Sequence, residues 1–134
     1  MNPNISFITL GVKDLDKMTA FYKDTLGWTM EKQQEGVRFF KMNSGLIFAL
    51  FPEASLAEDI GLESTQMPAT DEFKRMSLAI NFDSITKVDA FIASIKQKGV
   101  EIKKEPQTVF WGGYSGYFAD PERNYWEVAY NPFL

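Results

Sequence analysis

The sequence predicts an α+β fold that is built from two tandem β-α-β-β-β units. Three observations lead to this prediction: an alternating strand pattern from Ile5 to Val12, an amphipathic helix pattern after Asp14, and the return of both patterns about seventy residues later. With 134 residues and 45% hydrophobic content, the chain has the length of one domain and enough apolar side chains for a core. We therefore expect a single domain, 1–134, that consists of module one (1–52), a linker (53–75) and module two (76–134).

The spacing of apolar side chains predicts the first strand and the first helix. Ile8, Leu10 and Val12 alternate with Phe7, Thr9 and Gly11, which is the period of a half-buried strand. Asp14 is a favourable helix N-cap, and Gly27 suits a left-handed helix C-terminus. The apolar residues between them recur at three- and four-residue spacing: Leu15, Met18, Phe21, Tyr22 and Leu26.

Three short runs after this helix predict antiparallel strands, Trp28 to Lys32, Val37 to Met42 and Leu46 to Phe51. Turn signals at Glu35-Gly36 and Asn43-Ser44-Gly45 separate them. These strands complete module one.

The linker is polar and rich in acidic residues, with a short helix expected from Ala54 to Ile60. It exceeds the length of a minimal connection. Two interpretations stay open: an unstructured tether, or a segment that covers a pocket or contacts a partner subunit.

The pattern returns in module two, where Leu78, Ile80 and Phe82 alternate and Ser84 is placed to cap a helix that ends near Gly99. Identities recur seventy residues apart, including non-core positions, which favours a duplicated unit over shared periodicity alone. The pairs are Lys17 with Lys87, Ala20 with Ala90, and Phe21 with Phe91.

The last strands repeat with a larger offset, because the run Tyr125 to Val128 lies seventy-eight residues after Ile47 to Leu50. Two of the eight extra residues fit in the second helix, and about six fit in a special loop over Gln107 to Gly113. The segment Asp120 to Asn124 is predicted to be a turn, with Pro121 at its first position and Asn124 tolerant of positive φ.

The amino-acid composition excludes several kinds of catalytic and binding site. Cysteine and histidine are both absent, so thiolate chemistry, disulfides and histidine-based catalysis or metal binding are excluded. The net charge of −4 and scattered basic residues argue against nucleic acid as a partner. The sequence contains no run of eighteen apolar residues, which a transmembrane helix would need. We predict a cytoplasmic protein.

Three segments together resemble the vicinal oxygen chelate superfamily, which includes glyoxalase I, extradiol dioxygenases and bleomycin-resistance proteins. They are Phe7 to Leu15, the Phe21-Tyr22 pair leading to Leu26-Gly27, and Gly116 to Pro121 followed by Trp126-Glu127-Val128. The resemblance implies a cup-shaped, mostly antiparallel sheet with helices on its convex side, and a homodimer. It also implies that Phe7, Thr9 and Gly11 of the first strand, and Ser77, Ala79 and Asn81 of its repeat, face the cup.

The resemblance also indicates where metal-dependent members place their ligands. The four matching positions here hold Phe7, Ala49, Ser77 and Glu127. One carboxylate does not supply the three or four ligands of a tightly held ion, so we predict no metal and no cofactor.

Candidate ligand-binding residues are Phe7, Arg38, Ser77, Asn81, Trp111, Tyr114 and Glu127, and candidate catalytic residues are Glu127 and Tyr114. Each has an alternative. Glu127 is either a base or cation anchor, or a structural hydrogen-bonding residue. Trp111 and Tyr114 either contact ligand or seal the cup or dimer interface, and Arg38 either pairs with an anion or with Glu127, or is solvated.

Three functions follow in order of preference. The first is a metal-independent small-molecule-binding protein that holds an aromatic or cationic ligand in the cup. The second is a metal-independent isomerase or lyase that uses Glu127 as acid or base, with Tyr114 or Arg38 stabilising an enolate. The metal-dependent glyoxalase or dioxygenase reaction comes last because its ligands are missing.

Overall fold

The computed structural model describes residues 1–31, 34–62 and 66–134. The chain forms two compact units, Met1–Ala69 and Thr70–Leu134. Over these residues each unit is an α+β arrangement with one open sheet, and three of the five described pairings between strands are antiparallel. The predicted fold class is therefore confirmed.

The first unit contains a three-stranded sheet and two α-helices. The sheet has the order β1-β3-β2, with β1 parallel to β3 and β2 antiparallel to it. Its elements are β1 (Phe7–Val12), α1 (Leu15–Ala20), a π-helical turn (Phe21–Thr25), β2 (Arg38–Lys41), β3 (Ile47–Pro52) and α2 (Glu53–Ile60).

Helix α1 begins as predicted, because Oδ1 of Asp14 accepts a hydrogen bond from the backbone N–H of Lys17 at 3.0 Å. The π-helical turn that continues it places Tyr22 in an aromatic core. Tyr22 is fully buried, and its ring centroid lies 5.0 Å from that of Phe48 and 5.2 Å from that of Trp28. This cluster fixes the helix against one face of the sheet.

The predicted strand Trp28 to Lys32 is wrong over the described part of that segment. It pairs with the sheet only through a single bridge between Met30 and Phe40. The physical reason is that Trp28 belongs to the helix end: its backbone N–H donates to the carbonyl of Tyr22 at 3.0 Å, and its ring packs into the aromatic core. Lys32 lies outside the described residues.

Helix α2 lies within the segment predicted as a linker, and it packs against β1 of the first unit. Nζ of Lys13 donates to Oε1 of Glu53 at 2.8 Å. A Cβ atom on Gly11 would lie 3.3 Å from Glu53 and from Leu56, so β1 and α2 approach closely at this glycine. The short helix expected from Ala54 to Ile60 is confirmed.

The second unit contains a four-stranded sheet in the order β4-β7-β6-β5, with α3 packed on one face. Strand β4 is parallel to β7, and the other pairings are antiparallel. The elements are β4 (Ser77–Phe82), α3 (Ile85–Gln97), β5 (Glu101–Thr108), β6 (Tyr114–Ala119) and β7 (Tyr125–Tyr130).

Strand registers confirm the repeat between the units. In the first unit Phe7 lies opposite Ile47 across a parallel pair, and in the second unit Ser77 lies opposite Tyr125. The offsets are 77 − 7 = 70 and 125 − 47 = 78, which are the two offsets found in the sequence. The same six-residue pairing is therefore built twice, with eight more residues inside the second copy.

The turn Asp120 to Asn124 is confirmed, but its left-handed residue is Arg123, at φ 60, and not Asn124. The buried carboxylate of Asp120 organises the turn. Its Oδ1 accepts from the backbone N–H groups of Glu122 and Asn124, each at 2.9 Å.

No helix in the described part of the chain is long and apolar enough to cross a membrane.

Candidate functional site

The face of the second sheet that is turned away from α3 carries a group of polar and aromatic side chains. Strand alternation sends Trp126 and Val128 toward the buried α3 side, where they are 5% and 0% exposed, and sends Tyr125 and Glu127 to the other side. We name this other side the open face. Register adds Ser77 opposite Tyr125, and Tyr117 opposite Glu127.

Tyr117 is the central polar group of the open face. Burial raises the pKa of its phenol, the negative charge of Glu127 raises it further, and a side-chain hydrogen bond with Ser77 acts in the opposite direction. The phenol therefore stays protonated and is available as a hydrogen-bond donor at neutral pH. Tyr117, Ser77 and Glu127 form one interacting group.

A pocket of about 720 Å³ lies over this group. Its volume falls within the range of small-molecule sites, which is about 300–1,000 Å³. It lies entirely within the second unit, and Glu127 is not among its lining residues. Its walls are Phe73, Arg75, Met76, Ser77, Lys103, Lys104, Tyr117 and Tyr125.

Both lysines reach the pocket although they are consecutive in β5. The pairing of β5 with β6 steps from Ile102 opposite Phe118 to Lys104 opposite Tyr117, so β5 advances two residues while β6 advances one. Lys103 is the extra residue of this bulge. A regular strand would send consecutive side chains to opposite faces.

Tyr114, a candidate ligand-binding and catalytic residue, lies on the α3 side of the sheet and not on the open face. Its phenolic O–H donates to Oδ1 of Asp89 on α3 at 2.6 Å. The hydrogen bond to that carboxylate raises the pKa of Tyr114. The physical reason is strand alternation: Tyr114 shares the α3 side with Phe118, whereas Tyr117 has the opposite parity.

Arg38 also lies elsewhere than expected, since it belongs to the first unit and faces α1. Its Nη2 lies 3.7 Å from Oδ1 of Asp16, and its Nη1 donates to the backbone carbonyls of Gln34 and Val37. On β2 it has the parity of the buried Phe40, so its side chain lies on the helix side of the sheet. Its ion-pair partner within the first unit is Asp16.

The remaining candidates are spread over both units. Trp111 folds over Gly113 in the β5–β6 turn, where a Cβ on that glycine would lie 1.8 Å from the indole ring. Asn81 is exposed at the far end of β4. Phe7 belongs to the first unit, where it is 53% exposed and contacts the ring of Phe39 edge-on at 5.9 Å.

The positions that the family resemblance assigns to metal ligands carry few donor atoms. Phe7 and Ala49 carry no donor atom, and Ser77 offers only a hydroxyl beside the single carboxylate of Glu127. Within residues 1–31, 34–62 and 66–134, no group of three or more His, Cys, Asp and Glu side chains is arranged to hold a metal ion.

Of the eight pocket residues, sequence reasoning named only Ser77 as a candidate, and it missed Phe73, Arg75, Met76, Lys103, Lys104, Tyr117 and Tyr125. The position of Tyr117 on the open face could have been predicted, because adjacent residues of a strand lie on opposite faces and its neighbour Phe118 is buried. The sequence analysis counted the lysines among the scattered basic residues. Only the nearby Pro106 indicated something unusual at Lys103-Lys104, since proline in a strand is typical of an edge or a bulge.

These features belong to an α+β domain that carries a pocket on the open face of its second sheet. The model of the Glyoxalase/Bleomycin resistance protein/Dioxygenase superfamily matches residues 4–128, and the chain belongs to this family. A comparison with curated proteins finds no significant match.

Solved structures of the same fold cover nearly the whole chain. A glyoxalase-related enzyme from Fulvimarina pelagi is 31% identical, with a TM-score of 0.81 over 96% of this chain and 88% of that one. A genomically encoded fosfomycin resistance protein from Listeria monocytogenes is 28% identical, with a TM-score of 0.72 over 98% and 95% of the chains. A glyoxalase/bleomycin resistance protein/dioxygenase from Nocardioides is 24% identical, with a TM-score of 0.82 over 97% and 84%.

Proposed function

We propose that this protein is a metal-independent small-molecule-binding protein of the glyoxalase/bleomycin-resistance type, and that its ligand occupies the pocket on the open face of the second sheet. The observation that supports this most directly is the pocket itself. It holds about 720 Å³ and is bounded by three aromatic side chains, Phe73, Tyr117 and Tyr125. Aromatic side chains and a few convergent polar groups are typical of small-molecule sites.

The proposed ligand has an aromatic or other planar apolar body. Tyr117 and Tyr125 lie diagonally across the neighbouring strands β6 and β7, two positions apart in register, and offer flat surfaces with polar ends. Phe73 is 68% exposed although it is a large apolar side chain, so a ligand that covers it removes apolar surface from water. The prediction of a cationic ligand rested on Glu127, and Glu127 does not line this pocket.

Metal independence is proposed from the donor set. A tightly held catalytic ion needs three or four protein donors, whereas the positions expected from the family supply Glu127 and the hydroxyl of Ser77. Elemental analysis of protein purified without chelator tests this directly. Near-stoichiometric zinc, nickel, manganese or iron after dialysis would contradict it.

Binding is tested with N-phenyl-1-naphthylamine, a neutral aromatic probe whose fluorescence rises in apolar sites. We expect chelator-treated protein to bind it, and Phe73→Ala to weaken binding about five- to tenfold through lost apolar contact. Phe110→Ala is the matched control, because Phe110 is a fully exposed phenylalanine outside the pocket. Equal binding by wild type and both variants would reject the pocket as the ligand site.

A second candidate function is a metal-independent isomerase or lyase, and one observation favours it. Glu127, a carboxylate, faces the phenol of Tyr117, whose pKa it raises. In that reaction Glu127 takes a proton from the substrate, and Tyr117 donates a hydrogen bond to the developing enolate oxygen. Tyr117 replaces the predicted Tyr114 in this role.

The enzyme candidate is tested by Glu127→Gln. The variant should abolish turnover of any substrate found while leaving its affinity within about twofold, because the amide keeps the shape of the carboxylate but cannot act as a base. Tyr114→Phe is the control on the α3 side of the sheet. Turnover that survives Glu127→Gln would remove Glu127 from the mechanism.

Two further predictions belong to this proposal. The family resemblance implies a homodimer, which sedimentation equilibrium tests. The composition, with no cysteine, is compatible with a reducing compartment, and we propose a cytoplasmic location. Fractionation of the source cells tests the location.

A further inference from the structure

We propose that the ligand of this pocket is an organic anion, an aromatic acid whose carboxylate, sulfonate or phosphate group is held by Lys103 and Lys104, with Arg75 adding positive charge at the opposite edge of the pocket. This inference rests on the proposed small-molecule-binding function, and it names the chemical class of the ligand. It reverses the sign of the charge that the sequence predicted.

The first step is the charge of the pocket wall. Three of its eight lining residues are cationic and none is acidic. The ion pairs of the described residues use other cations, such as Lys13, Lys87 and Lys96. A protein with a net charge of −4 therefore keeps three cations together in one cavity with no carboxylate among the walls. An anionic ligand supplies the missing partner.

The second step is the arrangement of these cations around the tyrosines. Arg75 precedes β4, and the two lysines are on β5, which are the two edge strands of the sheet. Tyr125 on β7 and Tyr117 on β6 lie between them. With adjacent strands about 4.8 Å apart, the two edges of the sheet are separated by about 14 Å. The cations thus lie on either side of an aromatic surface formed by Tyr117 and Tyr125.

The third step is the bulge in β5. It places two residues, Lys103 and Lys104, opposite the single residue Tyr117. Without the bulge, one of the two lysines would lie on the α3 side of the sheet. A second irregularity follows between Lys104 and Gln107, so the strand is distorted on both sides of Lys104. Bulges are frequent beside functional sites because they redirect side chains.

The fourth step is Gly116, which makes room for the bulge. A Cβ atom at this position would lie 2.6 Å from the carbonyl oxygen of Lys104 and 2.8 Å from the backbone nitrogen of Pro106. These are backbone atoms, so a side chain at position 116 would have to displace β5 itself. The close approach of β6 to the distorted strand therefore depends on glycine.

The test compares two probes that share one ring system. 1-Anilinonaphthalene-8-sulfonate is an aromatic anion, and N-phenyl-1-naphthylamine lacks the sulfonate. We expect wild-type protein to bind the sulfonate about tenfold more tightly or better, with a preference that falls as salt is raised. The double variant Lys103→Gln/Lys104→Gln should lose this preference and keep the affinity for the neutral probe within about twofold.

The matched control is Lys23→Gln/Lys41→Gln, which removes two exposed lysines of the first unit. Both double variants have a net charge of −4 − 2 = −6, so a general effect of protein charge would weaken the sulfonate equally in each. We expect only the pocket variant to do so. Equal weakening in both variants would overturn the proposal.

Failure of this inference differs from failure of the proposed function. If wild type binds both probes with the same affinity, the pocket takes small molecules without selecting an anion, and only the present inference is wrong. If neither probe binds, or Phe73→Ala changes neither affinity, the pocket is not the ligand site and both proposals are wrong. Competition of the bound sulfonate by benzoate or phenyl phosphate, and not by aniline, would support the aromatic acid class.

Discussion

Tyr117 and Glu127 lie directly opposite each other on the antiparallel strands β6 and β7, on the face of the sheet that α3 does not cover. Side chains in such opposed positions have Cβ atoms about 4.5–5.5 Å apart, close enough for a carboxylate to influence a phenol. Ser77, on β4, acts on the same phenol through a hydrogen bond. Three strands thus contribute to the protonation state of one tyrosine.

This relationship predicts opposite pKa changes in two variants. Glu127→Gln removes a charge that raises the pKa of Tyr117, so the pKa should fall. Ser77→Ala removes a hydrogen bond that lowers it, so the pKa should rise. Nuclear magnetic resonance of protein with ¹³C-labelled tyrosine, titrated from pH 8 to pH 12, measures both. A shift of the same sign in the two variants would contradict the assignment.

Tyr114 and Tyr117 should behave differently when each is changed to phenylalanine. Tyr114→Phe removes the hydrogen bond to Asp89 on the α3 side and should leave the affinity for aromatic sulfonate unchanged. Tyr117→Phe removes a hydroxyl from the pocket floor and should weaken binding about three- to tenfold. Fluorescence titration of both variants checks this, and weaker binding by Tyr114→Phe alone would return Tyr114 to the site.

The same tyrosines give the protein a predicted stability loss at high pH. Both have a pKa raised above the ordinary value of 10.0 in the folded state. A raised pKa means that the folded state holds the proton more tightly, so the stabilisation is complete below pH 10 and is lost as pH rises through the folded-state pKa. Urea unfolding from pH 8 to pH 11 should show this decline, and it should be smaller in the double variant Tyr114→Phe/Tyr117→Phe. An unchanged decline in the double variant would assign it to other groups.

Much of the fold followed from local signals that tertiary packing does not override. Asp14 and Ser84 each cap a helix by accepting from the backbone N–H three residues on, as the sequence predicted. The strand predicted at Trp28 was wrong because an apolar run describes burial and not pairing. Trp28 is half-buried and its ring packs against Tyr22, but its backbone N–H bonds to the end of the helix and not to a neighbouring strand.

The site was less predictable, because the face on which a strand side chain lies depends on whether its position in the strand is odd or even. A strand of known register assigns every second side chain to one face, so Glu127 and Tyr117 could be placed from the buried Trp126 and Phe118. A bulge shifts that parity by one, and its position depends on the contact of two strands that are distant in sequence. Lys103 and Lys104 therefore reach one pocket because of the bulge, which cannot be predicted from the sequence of β5 alone.

The turn after β6 should depend on Asp120 for its stability. Asp120 is 3% exposed, and its carboxylate accepts from two backbone N–H groups and the side-chain amide of Asn124. Asp120→Ala leaves these donors without that acceptor, and we expect a loss of about 2–4 kcal/mol in the free energy of unfolding. Urea denaturation measures it, with Asp83→Ala, in an exposed ion pair with Lys87, as the control that should not change stability measurably. Equal stability of the two variants would show that the turn is held by other contacts.

Gly116→Ala tests whether the bulge and the binding of anions are linked. The added methyl group would lie 2.6 Å from the carbonyl oxygen of Lys104, so β5 must move, at a cost of about 1–3 kcal/mol in the free energy of unfolding. Because that movement redirects Lys103 and Lys104, affinity for the aromatic sulfonate should fall further than affinity for the neutral probe. Gly45→Ala is the control: this glycine has φ 94 and open space around it, so alanine should cost about 1 kcal/mol through backbone strain alone and leave both affinities unchanged. If Gly116→Ala lowers stability but keeps the full preference for the sulfonate, the lysines reach the anion without the bulge, and the link between the glycine and ligand selection is wrong.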